Sequence, residues 1–457
     1  MRAFMSSCAS FTGFLQCLPL CGRRPLTGPS PLRSPRRRAY ALGAAHRHMR
    51  CKGRSNACPR IAAPARKPAR LMHATTRLLL GGSLTLAIVM GIGRFLYTPL
   101  LPLMQRQYGF GPDVAGLIAS ANFAGYFAGS MLAALFARGV ARRIAFQGGL
   151  VASVATTIAM GLTGDLAVWL VLRTISGAAS AFAMILAAGI VAEQLAKVGE
   201  ESRLAWVFGG VGAGIAASGL VVHLLVGSMQ SSTLWVLVGV IAAGLMPIAL
   251  FFVRERDLPV SRRPADPRRR VPRPLPFWPL LVGYTLQGLG YSVFATFIVA
   301  LIKSRPGIEA LGDWVWIVVG LAVLPSCLFW SRMAERIGFS KALVAAYVAQ
   351  IIGVALPVVT NAAAAALIGA VLFGGTFIAI TLLTMPLGRQ GLGGRGFAVL
   401  TAGFGLGQMV GPYVAGMLVG GEVDYTLPLA ASAGVLALGL LALLVAIRGR
   451  EEPASPA

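Results

Sequence analysis

The chain has 457 residues, of which 56% are hydrophobic and 12% charged, and its formal net charge is +26. Soluble globular proteins carry about 25% charged residues, because water has to solvate their surfaces. The composition therefore excludes an ordinary soluble protein and indicates a chain whose surface faces lipid.

The positive charge is unevenly distributed along the chain. Residues 1–76 hold fifteen Lys and Arg and no Asp or Glu, whereas the remainder carries a net charge of +11, mostly in short loops between apolar runs. Basic residues in such loops are typical of proteins that orient themselves in a membrane. We therefore expect no nucleic-acid partner, although the overall charge would suit one.

The first predicted segment is a basic extension, residues 1–76, in which residues 1–71 show no helical periodicity. Three interpretations stay open: a mis-assigned start codon, an Arg-rich targeting peptide and a disordered tail. We favour the mis-assigned start, with Met72 or Met49 as the first residue, because Met72 directly precedes the first apolar run.

Twelve apolar runs follow, each long enough for a helix to cross the roughly 30 Å hydrocarbon core of a bilayer. Because a backbone in lipid must satisfy its own hydrogen bonds, we expect these runs to be helices. The chain is therefore predicted to be an all-α integral membrane protein. The predicted spans are 77–104, 112–137, 144–164, 166–192, 205–227, 233–253, 277–302, 313–331, 341–359, 362–386, 397–419 and 426–447.

If the twelve spans cross the membrane in turn, the Lys and Arg residues outside them lie almost entirely on one face. The loops and the C-terminal end of that face carry twenty of them, apart from the fifteen in residues 1–76, whereas the other face carries three, Arg106, Lys303 and Arg305. Loops rich in Lys and Arg remain in the cytoplasm. We therefore expect a multi-pass protein of the bacterial cytoplasmic (inner) membrane, with both termini, including the short tail 449–457, in the cytoplasm.

The loop 254–276 is the long connection between spans, and it contains eight arginines and six prolines. Proline and repulsion between like charges keep such a segment extended and solvated. It is predicted to be a cytoplasmic linker that joins two six-helix bundles, residues 77–253 and 277–448.

The two predicted bundles share a pattern of glycines. A shift of 197 residues places Gly177 on Gly374, and three glycines of the fifth span on three of the eleventh. Since small residues let membrane helices approach closely, we expect these glycines at helix packing faces of duplicated units. The glycines of the fifth and eleventh spans are Gly210, Gly214 and Gly219, and Gly407, Gly411 and Gly416.

The first span reads GIGRFLYTPLLPLM over residues 91–104, and the seventh contains Gly-Tyr at 290–291 and Ala-Thr-Phe at 295–297. These segments resemble the signature of the YbfB/YjiJ branch of the major facilitator superfamily (MFS). The resemblance implies the MFS fold, with twelve transmembrane helices in two pseudo-symmetric six-helix bundles. It also implies secondary transport of a small solute by alternating access, without a cofactor and without enzyme activity, and it identifies no substrate.

Motifs of the superfamily fit unevenly. The loop after the eighth span contains Glu335, Arg336 and Gly338, similar to the acidic-Arg-x-Gly core of the superfamily's gating loop, whereas the equivalent loop 137–143 has no acidic residue. In the fourth span, Arg173 with Gly177 is similar to a motif associated with coupling. The glycine-rich fifth span resembles the antiporter motif, but it lacks the usual proline.

Two arginines are predicted at mid-membrane depth, Arg94 and Arg173, where a charge costs roughly 2.5–3.5 kcal/mol. The resemblance implies that their spans line a central cavity. Since no Asp or Glu falls clearly at this depth, an organic anion such as a carboxylate would supply the missing charge, and a guanidinium can bind it through two hydrogen bonds. The alternative also stays open: Arg94 caps unwound backbone carbonyls near Pro99, and Arg173 is structural.

Other polar side chains on these and neighbouring spans could complete the solute site. The stronger candidates are Tyr97, Gln287 and Tyr291, and the 197-residue shift places Tyr291 on Arg94. Each of them alone could equally make an ordinary interhelical hydrogen bond. Further cavity candidates are Thr98, Asn122, Tyr126, Thr381, Thr384 and Gln408.

Proton coupling would require a group that titrates inside the membrane. Asp113, at the start of the second span, and Glu193, at the end of the fourth, are the candidate carboxylates, but both lie near span ends. His223 could titrate near neutral pH, although a lone histidine in a helix more often packs. Exchange and facilitated diffusion therefore stay open beside proton coupling.

The sequence offers no catalytic or metal-binding constellation, because five of its six cysteines and three of its four histidines precede the first span. Two other function classes nevertheless remain, since a fold does not determine a function: a non-transporting sensor or scaffold, and a membrane-embedded enzyme. As partners we expect a small-molecule substrate and the lipid bilayer, with the protein a monomer that binds no metal.

N-terminal sequencing of the purified protein tests the mis-assigned start. We expect Met72 or Met49 as the first residue, and a first residue before Met49 would rule the interpretation out.

Overall fold

The computed structural model describes residues 69–133, 136, 139–254, 275–388, 394–419 and 424–449. Most of the predicted basic extension, most of the predicted linker 254–276 and nearly all of the tail 449–457 lie outside these ranges. The regular structure of the described residues is helical, without a strand. We call residues 69–254 the N-terminal part and residues 275–449 the C-terminal part.

The described residues form fourteen α-helices, together with a π-helical stretch, Ala87–Ile92, and a short 3-10 helix, Glu201–Arg203. The α-helices are α1 Ala69–Leu86, α2 Tyr97–Tyr108, α3 Pro112–Ala133, α4 Gly139–Met160, α5 Leu166–Lys197, α6 Leu204–Leu225, α7 Ser231–Phe252, α8 Phe277–Lys303, α9 Leu311–Ile337, α10 Phe339–Val359, α11 Ala363–Gly374, α12 Phe377–Leu387, α13 Gly394–Met417 and α14 Thr426–Arg448.

Eleven helical stretches within the described residues are long and apolar enough to cross a membrane. One of them, Met72–Tyr108, runs through α1, the π-helix and α2, and another, Ala363–Leu387, joins α11 to α12. The prediction of an all-α membrane protein is confirmed. Helix α3 has 22 residues but is less apolar, because Asn122 and Tyr126 lie among its small residues.

The predicted span 77–104 is not a continuous α-helix. After the π-helix the backbone turns at residues 93–96, where Gly93 and Phe95 donate to carbonyls five residues back, Ile88 and Met90, at 2.8 and 3.1 Å. Glycine tolerates the close approach required here, since a Cβ on Gly93 would lie 2.5 Å from Ser153 Oγ. Unwinding near Pro99 was predicted only as an alternative to a continuous span, because apolarity alone does not distinguish a π-turn from an α-turn.

Glycines bring α6 against α1 in the N-terminal part and α13 against α8 in the C-terminal part. A Cβ on Gly210 would overlap the Ser83 carbonyl oxygen, and one on Gly407 would overlap that of Thr285. One turn further along, Gly214 meets Ala87 in the π-helix that continues α1, and Gly411 meets Leu289 of α8. The predicted packing glycines therefore lie at equivalent close approaches.

The last glycine of each set lies where the two parts meet. Gly219 of α6 faces Trp316 and Ile317 of α9, and a Cβ on Gly416 of α13 would overlap the Pro112 carbonyl oxygen at the start of α3. The N- and C-terminal parts therefore pack mainly through two helix pairs, α6 with α9 and α3 with α13, and α2 also contacts α8.

A pair of glycine substitutions tests these close approaches. Gly407→Ala should lower the free energy of unfolding by about 1–3 kcal/mol, because α8 has to move away. Gly434→Ala in α14, where a Cβ meets nothing within 4 Å, should leave it unchanged or raise it by up to about 1 kcal/mol, since alanine favours helix. Thermal unfolding in detergent measures both, and equal melting temperatures would show that α13 and α8 are not in tight contact.

Candidate functional site

Arg94 lies in the turn that breaks the first predicted span, and its side chain is buried with 4% exposure. Its guanidinium carbon lies 4.4 Å from the ring centre of Phe123 and 4.1 Å from that of Tyr126, both on α3. Nη2 donates a hydrogen bond of 3.1 Å to Gln408 Oε1 on α13. The charge is therefore held by aromatic rings of the N-terminal part and by an amide of the C-terminal part.

Gln408 connects Arg94 to a second side chain of the C-terminal part. Gln408 Nε2 donates to the hydroxyl oxygen of Tyr291 on α8. The Tyr291 ring stacks between Phe377 and Phe404, with ring centres at 5.7 and 5.5 Å. Arg94 and Tyr291, which the 197-residue shift aligned, are thus joined through one amide.

Arg173 of α5 caps the backbone that the turn exposes. Its Nη1 donates to Gly93 O and its Nη2 to Arg94 O, both at 3.1 Å, and Ser176 Oγ also donates to Gly93 O, at 3.2 Å. Asn122 Nδ2 in turn donates to the Arg173 carbonyl at 3.0 Å. The alternative prediction gave the capping of unwound carbonyls to Arg94. In the structure Arg173 caps them, and Arg94 presents its guanidinium to side chains.

A small cavity, with room for about one water molecule, lies between the two arginines. Three buried polar atoms of its lining have no hydrogen-bond partner among the described residues: Arg94 Nε, Arg173 Nε and Asn122 Oδ1. Since unpaired buried polar atoms are costly, such atoms point to a bound ligand or water. The lining residues are Arg94, Phe95, Tyr97, Thr98, Ala119, Asn122, Phe123, Arg173, Ala295 and Thr296.

Hydrogen bonds from Tyr97 and Thr98 position the start of α2 beside this cavity. Tyr97 donates to the Ala115 carbonyl of α3 at 3.0 Å, and Thr98 donates to the Ala295 carbonyl of α8 at 2.7 Å. The second bond, like that from Arg94 to Gln408, crosses from the N-terminal to the C-terminal part. It closes the cavity on the side of α8.

The remaining predicted cavity residues lie apart from Arg94. Gln287 donates to Gln350 of α10 at 3.4 Å, and its own Oε1 has no partner. Thr384 bonds back to the Ile380 carbonyl of its own helix at 2.8 Å, and Thr381 faces Tyr284. None of these side chains lines the cavity between the arginines.

The predicted coupling carboxylates lie away from this site. Asp113 is exposed in the first turn of α3. Glu193 forms an ion pair of 2.7 Å with Arg142 of α4. Glu193 thus supplies a carboxylate to the basic 137–143 region, whose own sequence has none.

The predicted gating loop joins α9 directly to α10. Glu335 and Arg336 are exposed in the last turn of α9. Gly338 has a φ of +94°, a conformation that glycine adopts without strain. A reversal this tight between two long helices explains the need for glycine at that position.

Sequence reasoning missed Phe123, which covers the guanidinium of Arg94, and Phe377 and Phe404, which enclose Tyr291. Phenylalanine is frequent in membrane helices, so the sequence held no signal that separates these rings from lipid-facing ones. The role of Arg173 had a signal, because Gly91, Gly93 and Pro99 mark a helix that can break.

Arg173→Lys tests the capping role. Lysine keeps the charge but cannot donate hydrogen bonds to two carbonyls in fixed directions. One carbonyl then becomes an unpaired buried acceptor, so the free energy of unfolding should fall by about 1–3 kcal/mol. Arg77→Lys, at an exposed position of α1, is the matched control. A melting temperature of Arg173→Lys equal to that of Arg77→Lys would contradict the assignment.

Comparison with known proteins places this geometry in a family. Residues 86–444 match the family described as "Uncharacterised MFS-type transporter YbfB". An uncharacterised MFS-type transporter, YceJ of Bacillus subtilis (strain 168), is 24% identical over 272 residues, which cover 56% of this chain and 66% of that protein. The chain thus spans slightly less than two thirds of this relative.

Solved transporter structures share the fold. The nucleoside transporter NupG superposes with a TM-score of 0.62 at 15% identity, over 82% of this chain and all of that one. A bacterial homologue of the human lysosomal transporter Spinster, in an inward-facing and occupied conformation, gives a TM-score of 0.60 at 16% identity, over 86% of this chain and all of that one. Such low identities show a common fold and nothing about the solute. The family match over residues 86–444, with which this fold agrees, leads to one conclusion: the chain belongs to the YbfB family of MFS-type transporters.

Proposed function

We propose that this protein is a secondary transporter that moves a small organic anion across the membrane by alternating access, with Arg94 as its principal solute contact. Its family consists of transporters and is not an enzyme class. The observation that carries the proposal is the position of Arg94: a buried cation, lined by aromatic rings, at the boundary between the N- and C-terminal parts.

The proposed architecture has twelve spans in two six-helix bundles, 77–253 and 277–448, joined by the basic linker 254–276. Eleven spans follow from length and apolarity, and α3 is the twelfth. Its glycines bring it against neighbours that are themselves candidate spans: a Cβ on Gly125 would overlap the Thr174 carbonyl of α5, and one on Gly116 that of Pro412 in α13. A helix of 22 residues packed between two spans is long enough to cross beside them.

The proposed orientation places both termini in the cytoplasm of a bacterial cell, with the protein in its inner membrane. The support is the distribution of Lys and Arg in the loops and at the C-terminal end, with twenty on the side of the termini and three on the other. We call the side without the termini the outer face. Its loops include residues 109–111, 226–230 and 304–310.

Charge is the argument for an anionic solute. The described carboxylates, among them Asp113, Glu193 and Asp313, lie at helix ends or in loops, so Arg94 has no acidic partner among the described residues. Its present partner, the Gln408 amide oxygen, is neutral and resembles one oxygen of a carboxylate. A carboxylate in that place would make a charge-assisted hydrogen bond, roughly twice as strong as a neutral one. The unpaired Arg94 Nε could donate the second bond.

The described conformation is closed around this site, since the cavity has room for about one water molecule. A solute the size of an organic acid requires the two parts to separate, with loss of the bonds from Arg94 to Gln408 and from Thr98 to Ala295. Alternating access provides this separation on one face of the membrane at a time.

Reconstituted transport tests the proposal. A thermal-shift screen of organic acids, amino acids and drugs first selects a stabilising compound, whose radiolabelled form is then followed into proteoliposomes. Arg94→Lys retains the charge but loses the planar fork, so uptake should fall about tenfold or more, as when one charged hydrogen bond is lost. Arg106→Lys, at an exposed position on α2, should transport normally.

The outcomes separate the function classes. Unchanged uptake by Arg94→Lys would overturn the role of the guanidinium. A compound that stabilises the protein but never enters the liposomes would indicate a sensor on a transporter fold. Selection of cationic compounds alone would overturn the anion proposal and leave secondary transport intact.

A further inference from the structure

Three titratable side chains meet at the outer face, away from the solute site and across the boundary between the two parts. His223 lies in the last turn of α6, in the N-terminal part. Asp313 lies in the first turn of α9 and Lys303 in the last turn of α8, both in the C-terminal part. Any movement that opens this face must separate the histidine from the other two.

The carboxylate of Asp313 lies between the two basic side chains. Lys303 Nζ is 2.6 Å from Asp313 Oδ1, and His223 Nδ1 is 3.7 Å from Asp313 Oδ2. The first contact is an ion pair by distance but is poorly aligned as a hydrogen bond, and the second is too long for one. As a result Asp313 Oδ1 and His223 Nδ1 are buried without a hydrogen-bond partner.

The imidazole is accessible to protons although its partner is enclosed. The His223 side chain is 27% exposed, whereas that of Asp313 is 10% exposed. Trp314 covers one face of the imidazole, with ring centres 4.7 Å apart. Protons from the outer face can therefore reach His223, while the carboxylate opposite it stays largely shielded from salt.

The charged surroundings of His223 are few among the described residues. Helices α1, α2, α5 and α7, which also pack against α6, place no carboxylate of the described ranges within 4 Å of it. Other cations at this face are Arg106 of α2, which is exposed, and Arg305, which donates to carbonyls at the end of α10. Asp313 is therefore the acceptor to which a charged His223 would bind.

We propose that His223 and Asp313 form a proton-binding latch that holds the outer face closed. When both ring nitrogens carry a proton, the imidazole is positively charged and its Nδ1–H can donate to Asp313 Oδ2, so the pair can shorten into a charge-assisted hydrogen bond between the two parts. Loss of that proton removes the attraction. The charged imidazole meets Asp313 only while the outer face is closed, so acid favours closure and alkali favours opening.

The latch couples the proton concentration outside to the conformation around Arg94. This coupling rests on the proposed alternating access, because it requires that the outer face opens and closes. Gly219, one turn before His223 on α6, packs against Trp316 and Ile317 of α9. Opening at the latch therefore moves the same pair of helices that close the boundary deeper in the membrane.

Spin-label distances test the latch directly. Ser228→Cys and Glu309→Cys place labels on exposed positions at the outer face, one in each part. The five N-terminal cysteines are replaced by serine, and the buried Cys327 is left in place. In full-length protein in nanodiscs, the ratio of long to short distances should rise about threefold between pH 5 and pH 8, as expected for a partly exposed ion pair.

Variants identify the group that titrates. His223→Gln and Asp313→Asn should each make the distances independent of pH, whereas His73→Gln, at an exposed histidine on α1, should retain the wild-type response. A pH-independent wild type, or a response that survives His223→Gln, would overturn the proposal. Because no solute is needed, a normal pH response without transport would refute the transporter function alone, and transport with pH-independent distances would refute the latch alone.

Discussion

A backbone inside lipid cannot leave a carbonyl unpaired, and the centre of this protein depends on how that constraint is met. The chain turns at residues 93–96, which exposes the carbonyls of Gly93 and Arg94. Arg173 and Ser176, both from α5, donate to them. The cost of a buried guanidinium is thereby offset by hydrogen bonds that the turn requires. Without this cap the turn would rewind towards a regular helix, and Arg94 would point elsewhere.

The same turn connects the centre to the boundary between the two parts. It directs Arg94 to Gln408 and begins α2 so that Thr98 reaches the Ala295 carbonyl. Close glycine contacts on both sides of this boundary leave little room for adjustment, because packed interfaces deform poorly. A polar centre between tightly packed helix pairs is suited to switching between two arrangements and poorly suited to gradual change.

Much of the helical framework could be predicted from the sequence, because span length and apolarity are imposed by bilayer thickness. The predicted 277–302, for example, appears as Phe277–Lys303. The break at residues 93–96 was only an alternative at the level of the sequence: glycines and a proline mark where a helix can break, but the bonds that stabilise this break come from an arginine about eighty positions away. Arg94 and Arg173 could be singled out from the sequence as charged residues within apolar spans, but only tertiary contacts separate their roles. The cluster at His223 was missed because α6 and α9 are distant in sequence, and each member alone resembles an ordinary helix-end residue.

The bond between Arg94 and Gln408 has a consequence for the unloaded protein. A carrier with a bare buried cation has difficulty changing conformation when empty, so it can only swap one solute for another. Here the Gln408 amide oxygen, held in turn by contact with Tyr291, accepts a hydrogen bond from Arg94, as an oxygen of the proposed solute would. If Arg94 binds the solute, its bond to Gln408 lets the empty carrier change conformation. Net accumulation or depletion of the solute then becomes feasible in addition to one-for-one exchange.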